Sequence, residues 1–204
     1  MFLNHLRLFN FKNHAEVNLA FDTDVTCIVG KNGSGKTNVL DAIHYLSFSK
    51  SAFNPSDVQN IMHQESGFFL RGNFTFNGKP NEVECIIQTA GKKVLREDGQ
   101  DYSRFSEHVG KYPVVLVAPQ DIELIWDGAE IRRKFIDTIV SQLDRTYLEN
   151  LIVYNHQLKQ RNSLLKNFSE NGRVDVPLLE TYNAQLVESG EYIFNRSEEH
   201  TSEL

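Results

Sequence analysis

The sequence is poor in the residues that mark secreted, membrane-spanning and metal-binding proteins. Its 204 residues include two cysteines, too few for a disulfide framework and without the paired spacing of a zinc site. Cys27 and Cys85 each lie in an apolar, strand-like run, so we expect both thiols to be buried. No apolar run approaches the ~18 residues that a membrane span needs, and the first residues lack the regions of a signal peptide. We therefore expect a cytoplasmic protein of a reducing compartment, without membrane contact.

Basic residues are also fewer than acidic ones. Lys and Arg number 21 against 27 Asp and Glu, and the formal net charge is −6. The chain as a whole lacks the positive field that is typical of nucleic-acid-binding domains, although a local basic patch is compatible with this composition. Hydrophobic residues make up 40% of the sequence, which is ordinary for a globular protein and sufficient for a buried core.

Alternating apolar runs in the first half predict antiparallel strands. They lie at Phe2–Phe9, Ala15–Phe21, Phe68–Phe76, Glu82–Thr89 and Lys93–Arg96, with turns at Asn10–His14, Asn77-Gly78 and Gly91. Asn-Gly between two such runs is a strong hairpin signal. Two shorter apolar runs, Val25–Val29 and Val114–Ala118, predict strands buried on both faces.

After Pro119 the pattern becomes helical. Long amphipathic helices are predicted at Ala129–Leu143, Tyr147–Phe168 and Pro177–Asn195, and the last two indicate a helical hairpin. We accordingly divide the chain into a head at residues 1–120 and a helical lobe at residues 121–195. Residues 196–204 break the pattern and look like the translation of a sequencing-library adapter, so we predict that they are a non-native tail.

The segment Gly30–Thr37 matches the phosphate-loop motif G-x-x-x-x-G-K-[ST] at every position. It lies between the apolar run Val25–Val29 and a helix predicted over Thr37–Phe48. Glycines allow the backbone N–H groups to face a phosphate, and the following helix adds its N-terminal donors. Lys36 brings a cation to the β- and γ-phosphates, and the Thr37 hydroxyl ligates Mg²⁺. The motif therefore predicts ATP and Mg²⁺ as cofactors, with Lys36 in a catalytic role, Thr37 as the metal ligand, and nucleotide contacts from Gly30, Lys31, Asn32, Gly33, Ser34, Gly35, Lys36, Thr37 and Asn38.

A phosphate loop also requires an acidic residue that orients Mg²⁺ and water. Asp121 follows the apolar run Val114–Ala118, so it is a candidate for this acid; the alternative is a helix N-cap. In ATP-binding cassette folds, a glutamine after a core strand touches Mg²⁺ and the attacking water. Gln120 occupies such a place, and we take it as a candidate catalytic residue.

The motifs in combination resemble the RecF family and its structural-maintenance-of-chromosomes (SMC) relatives. The matching segments are Leu6–His14, Gly30–Asn38, Pro119–Asp137, Ser141–Asp144 and Tyr154–Lys166, within a likeness that covers Met1–Asn195. The chain departs from the family where Gln120 replaces an acid, Asp127 a glycine and Ala129 a proline. The family's signature motif and acidic Walker B strand do not follow Asn195, so the chain resembles the N-terminal part of a RecF protein.

The resemblance implies an α/β fold, namely a truncated ATP-binding-cassette (ABC) ATPase-like head with a mixed sheet containing antiparallel strands, and a helical second lobe. It implies an ATP- and DNA-binding recombination mediator that acts at gaps or duplex–single-strand junctions in DNA repair, replication restart and the SOS response. RecR and RecO type proteins are the implied partners, and the full-length protein would dimerise with ATP between its subunits. ATP hydrolysis would be weak and DNA-stimulated, and this chain alone would be inactive. Lys12 and Asn13 would border the nucleotide.

Two other functions remain open from the residues. One is a complete small P-loop kinase or NTPase that uses Asp121 for Mg²⁺, and the other is a non-catalytic nucleotide-binding module. Basic side chains on the predicted helices are candidate DNA contacts or parts of solvated helix faces; they are Arg132, Arg133, Lys134, Lys159, Arg161 and Lys166. His44, on the helix after the phosphate loop, is expected to be a packed or surface residue.

Overall fold

The computed structural model describes residues 1–126, 128–172 and 174–202 and divides into two compact units. The first unit runs from Met1 to Val117 and the second begins at Ala118, close to the predicted boundary between head and helical lobe. Asp127, one of the departures from the family pattern, lies outside the described residues, as do residues 203 and 204 of the predicted tail.

The first unit is built on an antiparallel sheet with the strand order β2-β1-β3-β4-β5-β6. Its strands are β1 (Phe2–Phe11), β2 (His14–Ala20), β3 (Gly67–Phe76), β4 (Lys79–Gln88), β5 (Lys93–Glu97) and β6 (Gln100–Asp101). The predicted hairpins are therefore confirmed. Asn77 and Gly78 connect β3 to β4 with φ of 50° and 75°, which suits the two-residue turns that match the twist of a hairpin.

Helix α1 (Lys36–Phe48) packs its apolar stripe on one face of this sheet. The rings of Tyr45 and Phe68 meet edge to face with centroids 5.4 Å apart, and Phe68 meets Phe11 in the same way at 5.0 Å. The buried cluster consists of Leu6, Leu8, Phe11, Val39, Ala42, Tyr45, Leu46, Phe68, Leu70, Phe74, Val83, Cys85, Ile87, Leu95 and Tyr112. This core fixes the helix that carries the phosphate loop at its N-terminus.

The segment after β6 is tied to the sheet through Glu97. Its carboxylate accepts hydrogen bonds from the Lys111 ammonium at 2.7 Å, the Tyr112 hydroxyl at 2.5 Å and the Tyr102 hydroxyl. Burial alone would raise the pKa of Glu97, but these three donors outweigh it and lower the pKa to about 2. The carboxylate is therefore a charged anchor for the end of the first unit.

The two predicted buried strands are wrong. Residues 25–29 and 114–118 belong to no strand in the described structure, and their valines are largely exposed: Val25 by 79%, Val29 by 87%, Val115 by 75% and Val117 by 78%. A central strand needs ladder hydrogen bonds from both neighbours, and no ladder within the described sheet reaches these segments. Apolar composition predicted them as strands, but composition cannot supply their partners.

The expectation that both cysteines are buried is half wrong for the same reason. Cys27, in the segment 25–29 outside the sheet, is exposed, whereas Cys85 on β4 is buried in the core. Burial raises the pKa of the Cys85 thiol to about 12, so this side chain is a neutral packing residue.

The second unit is helical. It contains α2 (Glu123–Trp126), α3 (Ala129–Leu143), α4 (Arg145–Asn171) and α5 (Val176–Ser202), so the predicted helices and the hairpin of α4 and α5 are confirmed. Asp144 caps α4 by accepting from Tyr147 N at 3.0 Å, and it also accepts from Arg196 Nε of α5 at 2.8 Å. Helix α5 continues past residue 195, so the described part of the predicted tail is helical; its non-native origin stays a prediction. No helix among the described residues has the length and apolarity of a membrane span.

Candidate functional site

The phosphate loop (residues 30–37) leads directly into the N-terminus of α1. Gly33 and Gly35 have φ of 79° and 92°, a left-handed backbone that glycine adopts without steric cost. Gly35 is the N-cap, and its carbonyl accepts from Asn38 N at 2.9 Å and Val39 N at 3.1 Å. The first N–H groups of a helix have no partner within it and favour an anion. The loop therefore has the backbone form that phosphate binding requires.

An open cavity of ≈ 380 Å³ lies over this helix end, lined by Asn32, Gly33, Gly35, Lys36, Thr37 and Asn38. Thr37 is exposed, so its hydroxyl is accessible to a metal ion or to solvent. Six of the nine predicted nucleotide contacts thus line one cavity at the N-terminus of α1, whereas Gly30, Lys31 and Ser34 are not among its lining residues.

Lys36 curls back over the loop. Its ammonium donates to Gly30 O and to Lys31 O, both at 2.9 Å. The positive charge is therefore held at the start of the loop, beside the helix end that attracts anions, and a phosphate group there would offer it stronger, charge-assisted hydrogen bonds.

The turn between β1 and β2 packs against the phosphate loop. Asn13 Nδ2 donates to Gly33 O at 3.1 Å, and Asn38 Nδ2 donates to Asn13 Oδ1 at 2.8 Å. His14 Nε2 lies 3.0 Å from Gly35 O; since a carbonyl only accepts, Nε2 carries the hydrogen of this bond. Two residues of the hairpin thus touch the loop at its two left-handed glycines.

A buried ion pair fixes that turn to α1. The Lys12 ammonium lies 2.5 Å from Asp41 Oδ2, and the Asp41 side chain is 0% exposed. Asp41 also accepts from Ser51 Oγ and from Ala52 N, both at 2.7 Å. The Lys12 ammonium is therefore paired with Asp41 beside the loop. Its predicted contact with a nucleotide stays a prediction.

The other candidate residues lie in the second unit. Gln120 is exposed in a short 3-10 helix, Pro119–Ile122, and its catalytic role stays a prediction. Asp121 Oδ2 accepts from Ala118 N at 2.6 Å. The predicted N-cap is therefore wrong, because Asp121 lies inside the 3-10 helix Pro119–Ile122 and bonds back to Ala118, three residues earlier, whereas a cap stands before its helix and bonds forward.

Several candidate DNA contacts are engaged within the second unit. Lys134 pairs with Glu130 at 2.7 Å, Lys166 with Glu170 at 3.9 Å, and Arg161 Nε donates to Asn183 at 2.7 Å. The two lysine pairs are exposed i,i+4 pairs of the kind that contributes little to stability. DNA contact by these side chains stays a prediction.

His44 is a packed residue, as expected. It lies 3.1 Å from Lys50 O through Nδ1 and stacks on Phe48 with ring centroids 4.6 Å apart. Burial is the main cause that lowers its pKa, which favours the neutral form of the ring.

In the described part of the chain, no three His, Cys, Asp or Glu side chains form a group that could hold a metal ion. The structure thus offers no preformed cage of protein ligands there. Mg²⁺ in triphosphate sites takes few protein ligands and keeps phosphate oxygens and waters, and the exposed Thr37 hydroxyl fits that type of site.

Sequence reasoning missed the part that His14 plays. The motif identifies residues 30–37 because their spacing is local, whereas the contact of His14 with Gly35 joins residues that are 21 positions apart. Asn13 was predicted near the nucleotide from the family resemblance, but its contact with Gly33 carries no signal in the sequence.

Comparison with known sequences identifies relatives along the whole chain. A family model described as AAA domain matches residues 5–201. RecF, the DNA replication and repair protein, of Flavobacterium johnsoniae is 47% identical over 204 residues, covering 100% of this chain and 57% of the relative. The RecF of Phocaeicola vulgatus is 41% identical over 205 residues, covering 100% and 54%. The chain therefore spans about half the length of the curated relatives that it matches.

Solved structures of RecF also resemble this chain. A RecF–ATP structure, described as a recombination mediator protein in the RecFOR pathway, superimposes with a TM-score of 0.90 at 31% identity and covers 98% of this chain and 54% of its own. An SMC ATPase described in terms of ATP-driven dimerisation has a TM-score of 0.54 at 19% identity and covers 71% of this chain, which indicates a shared fold alone. The predicted ABC-ATPase-like α/β head is thus confirmed, except that its described sheet is antiparallel throughout and not mixed.

Proposed function

This chain belongs to the AAA domain family and is of RecF type along its length, and from that membership we propose that it is the ATP-binding part of a recombination mediator. The phosphate loop carries the proposal, because its glycines take the conformation for anion binding at the N-terminus of α1. Gly30–Asn38 hold the triphosphate, Lys36 neutralises the β- and γ-phosphates, and Thr37 ligates Mg²⁺.

Calorimetry with ATP and Mg²⁺ tests this proposal. We expect Lys36→Ala to weaken ATP binding by tenfold or more, since one charge-assisted contact with phosphate is lost. Lys92→Ala, at an exposed lysine of the same unit, is the matched control and should bind as the unchanged chain does. Absence of ATP binding, or equal affinity in Lys36→Ala, would contradict the proposal.

The metal role of Thr37 is tested separately. Thr37→Val keeps the shape of the side chain and removes its hydroxyl, so the gain in ATP affinity that Mg²⁺ provides should shrink while binding in EDTA stays. Equal Mg²⁺ dependence in both proteins would remove Thr37 from the metal site.

For the whole protein we propose the activity of a RecF-type mediator. ATP controls dimerisation at gapped or junction DNA in the cytoplasm, during DNA repair, replication restart and the SOS response, together with RecR and RecO type proteins. Two observations support this: relatives described as DNA replication and repair proteins match the entire chain, and an ATP-bound recombination mediator shares its fold at 31% identity. Gln120 is proposed to touch Mg²⁺ and the attacking water during a slow hydrolysis.

Light scattering and ATPase assays test these steps. The intact gene product should form a dimer with ATP and hydrolyse it faster with gapped DNA. The 204-residue chain, at concentrations where it is monomeric without ATP, should bind ATP, stay monomeric and show little turnover. An ATP-dependent dimer of the 204-residue chain would contradict the requirement for the longer protein. Robust DNA-independent turnover by the chain would favour a small kinase or NTPase instead.

A further inference from the structure

We propose that Asn13 and His14 are positioning residues that hold the phosphate loop in its anion-binding conformation. Both lie in the turn between β1 and β2, and neither belongs to the loop motif. The inference rests on the proposed ATP binding and adds a specific device to it, in which a neighbouring hairpin sets the direction of the loop's peptide groups.

The Asn13 amide bridges the loop and the helix. Its Nδ2 donates to Gly33 O at 3.1 Å and its Oδ1 accepts from Asn38 Nδ2 at 2.8 Å. Because both ends of the amide have a partner, only one orientation satisfies all three groups. Asn13 therefore fixes the distance between the middle of the loop and the first turn of α1.

His14 acts on the peptide group two residues further along the loop. Its Nε2–H donates to Gly35 O at 3.0 Å, a carbonyl that also accepts from Asn38 N and Val39 N at the start of α1. In a trans peptide the N–H points opposite to the preceding C=O. Holding Gly35 O toward His14 and the helix therefore directs the Lys36 N–H away from α1, to the end of the helix where an anion binds.

Close packing supports the same conclusion independently of the hydrogen bonds. A Cβ atom placed on Gly35 would lie 2.4 Å from His14 Nε2 and 2.5 Å from Asn13 Oδ1, so the turn lies directly on the loop. The turn itself is anchored, because Lys12 N donates to Asn60 O at 2.8 Å and the Lys12 ammonium pairs with the buried Asp41. The phosphate loop thus packs against a turn that is itself held in place by hydrogen bonds and an ion pair.

Paired substitutions that keep or remove one donor test the proposal. His14→Phe keeps a ring and removes the N–H, whereas His14→Gln restores an N–H donor at a similar distance from the backbone. Asn13→Asp keeps the acceptor for Asn38 and removes the donor to Gly33. Asn18→Ala, at an exposed residue of β2, is the control. ATP and inorganic tripolyphosphate, each with Mg²⁺, are the two ligands whose binding is measured. All titrations are done at a temperature well below the unfolding midpoint of every variant.

We expect His14→Phe and Asn13→Asp each to lower the affinity for both ligands by about tenfold, and we expect His14→Gln to recover most of the lost affinity. Equal losses for the two ligands would indicate an effect on the phosphate loop, because tripolyphosphate has no base or sugar. Equal affinity in all variants, or a His14→Gln variant as weak as His14→Phe, would overturn the positioning role. Failure of the unchanged chain to bind ATP would instead overturn the proposed function, so the two failures are distinguishable.

Discussion

Gly35 is the residue of the phosphate loop with the least freedom to change. Its φ of 92° belongs to the left-handed region, and a Cβ atom would meet both Asn13 and His14. We expect Gly35→Ala to destabilise the first unit by about 2–3 kcal/mol, from backbone strain together with overlap, and to weaken ATP binding more than tenfold. Urea unfolding and calorimetry measure the two effects.

Gly33 provides the matched control for that substitution. It has a similar φ of 79°, but a Cβ atom there meets nothing within 4 Å. Gly33→Ala should therefore cost about 1 kcal/mol from backbone conformation alone. Equal losses in the two variants would show that the contact with the turn does not constrain Gly35.

Glu97 should make the first unit sensitive to acid. Its pKa falls from 4.5 to about 2 on folding, so its contribution to the free energy of unfolding is complete above 4.5 and is lost as the pH falls from 4.5 toward 2. Glu97→Gln should remove about 2 kcal/mol near neutral pH, a value discounted for the partly exposed Lys111. Urea unfolding between pH 2 and 6 measures how the free energy of unfolding depends on pH. The same pH dependence in the variant would contradict the role of this carboxylate.

Helix α1 is joined to the β1–β2 turn by a nearly buried charge pair, in which the Lys12 side chain is 11% exposed and the Asp41 side chain 0%. Asp41→Ala would leave the Lys12 ammonium buried without its partner, which typically costs about 3–5 kcal/mol. The exposed pair Arg7–Glu16, at 2.9 Å, gives the control, because Glu16→Ala should cost at most about 1 kcal/mol. Urea unfolding measures both variants.

A double-mutant cycle separates the ion pair from the other contacts of Asp41. Lys12→Met combined with Asp41→Ala should cost less than the sum of the two single changes, since the uncompensated charge is absent from the double variant. Strict additivity of the two losses would indicate that the pair is not coupled.

Elements that depend on local sequence could be predicted, and elements that depend on distant partners could not. Asn77-Gly78 predicts its hairpin because the two residues impose the turn locally, and the helices follow from apolar spacing within each segment. Residues 25–29 were predicted as a strand from composition, yet a strand depends on partners elsewhere in the chain. In the site, the motif identified residues 30–37, while the support from His14 follows only from how the hairpin packs on the loop.

For the molecule as a whole, the exposed apolar segments 25–29 and 114–118 matter most. Their valines lie outside the strands of the described sheet and expose apolar side chains to solvent, and exposed hydrophobic surface promotes association. We predict that the 204-residue chain self-associates as its concentration rises, and that Val115→Thr with Val117→Thr reduces this. Threonine keeps the β-branched shape of valine, so polarity is the property that changes. Static light scattering over a concentration series measures the effect.

The helices provide the control that separates polarity at these segments from polarity in general. Val153 on α4 and Val187 on α5 are also exposed, but helical backbone groups already bond within the helix. Val153→Thr with Val187→Thr should therefore leave the scattering unchanged. If this control pair reduced association as much as the pair at 115 and 117, the position of those two valines outside the sheet would not be the cause, and general surface hydrophobicity would explain the result.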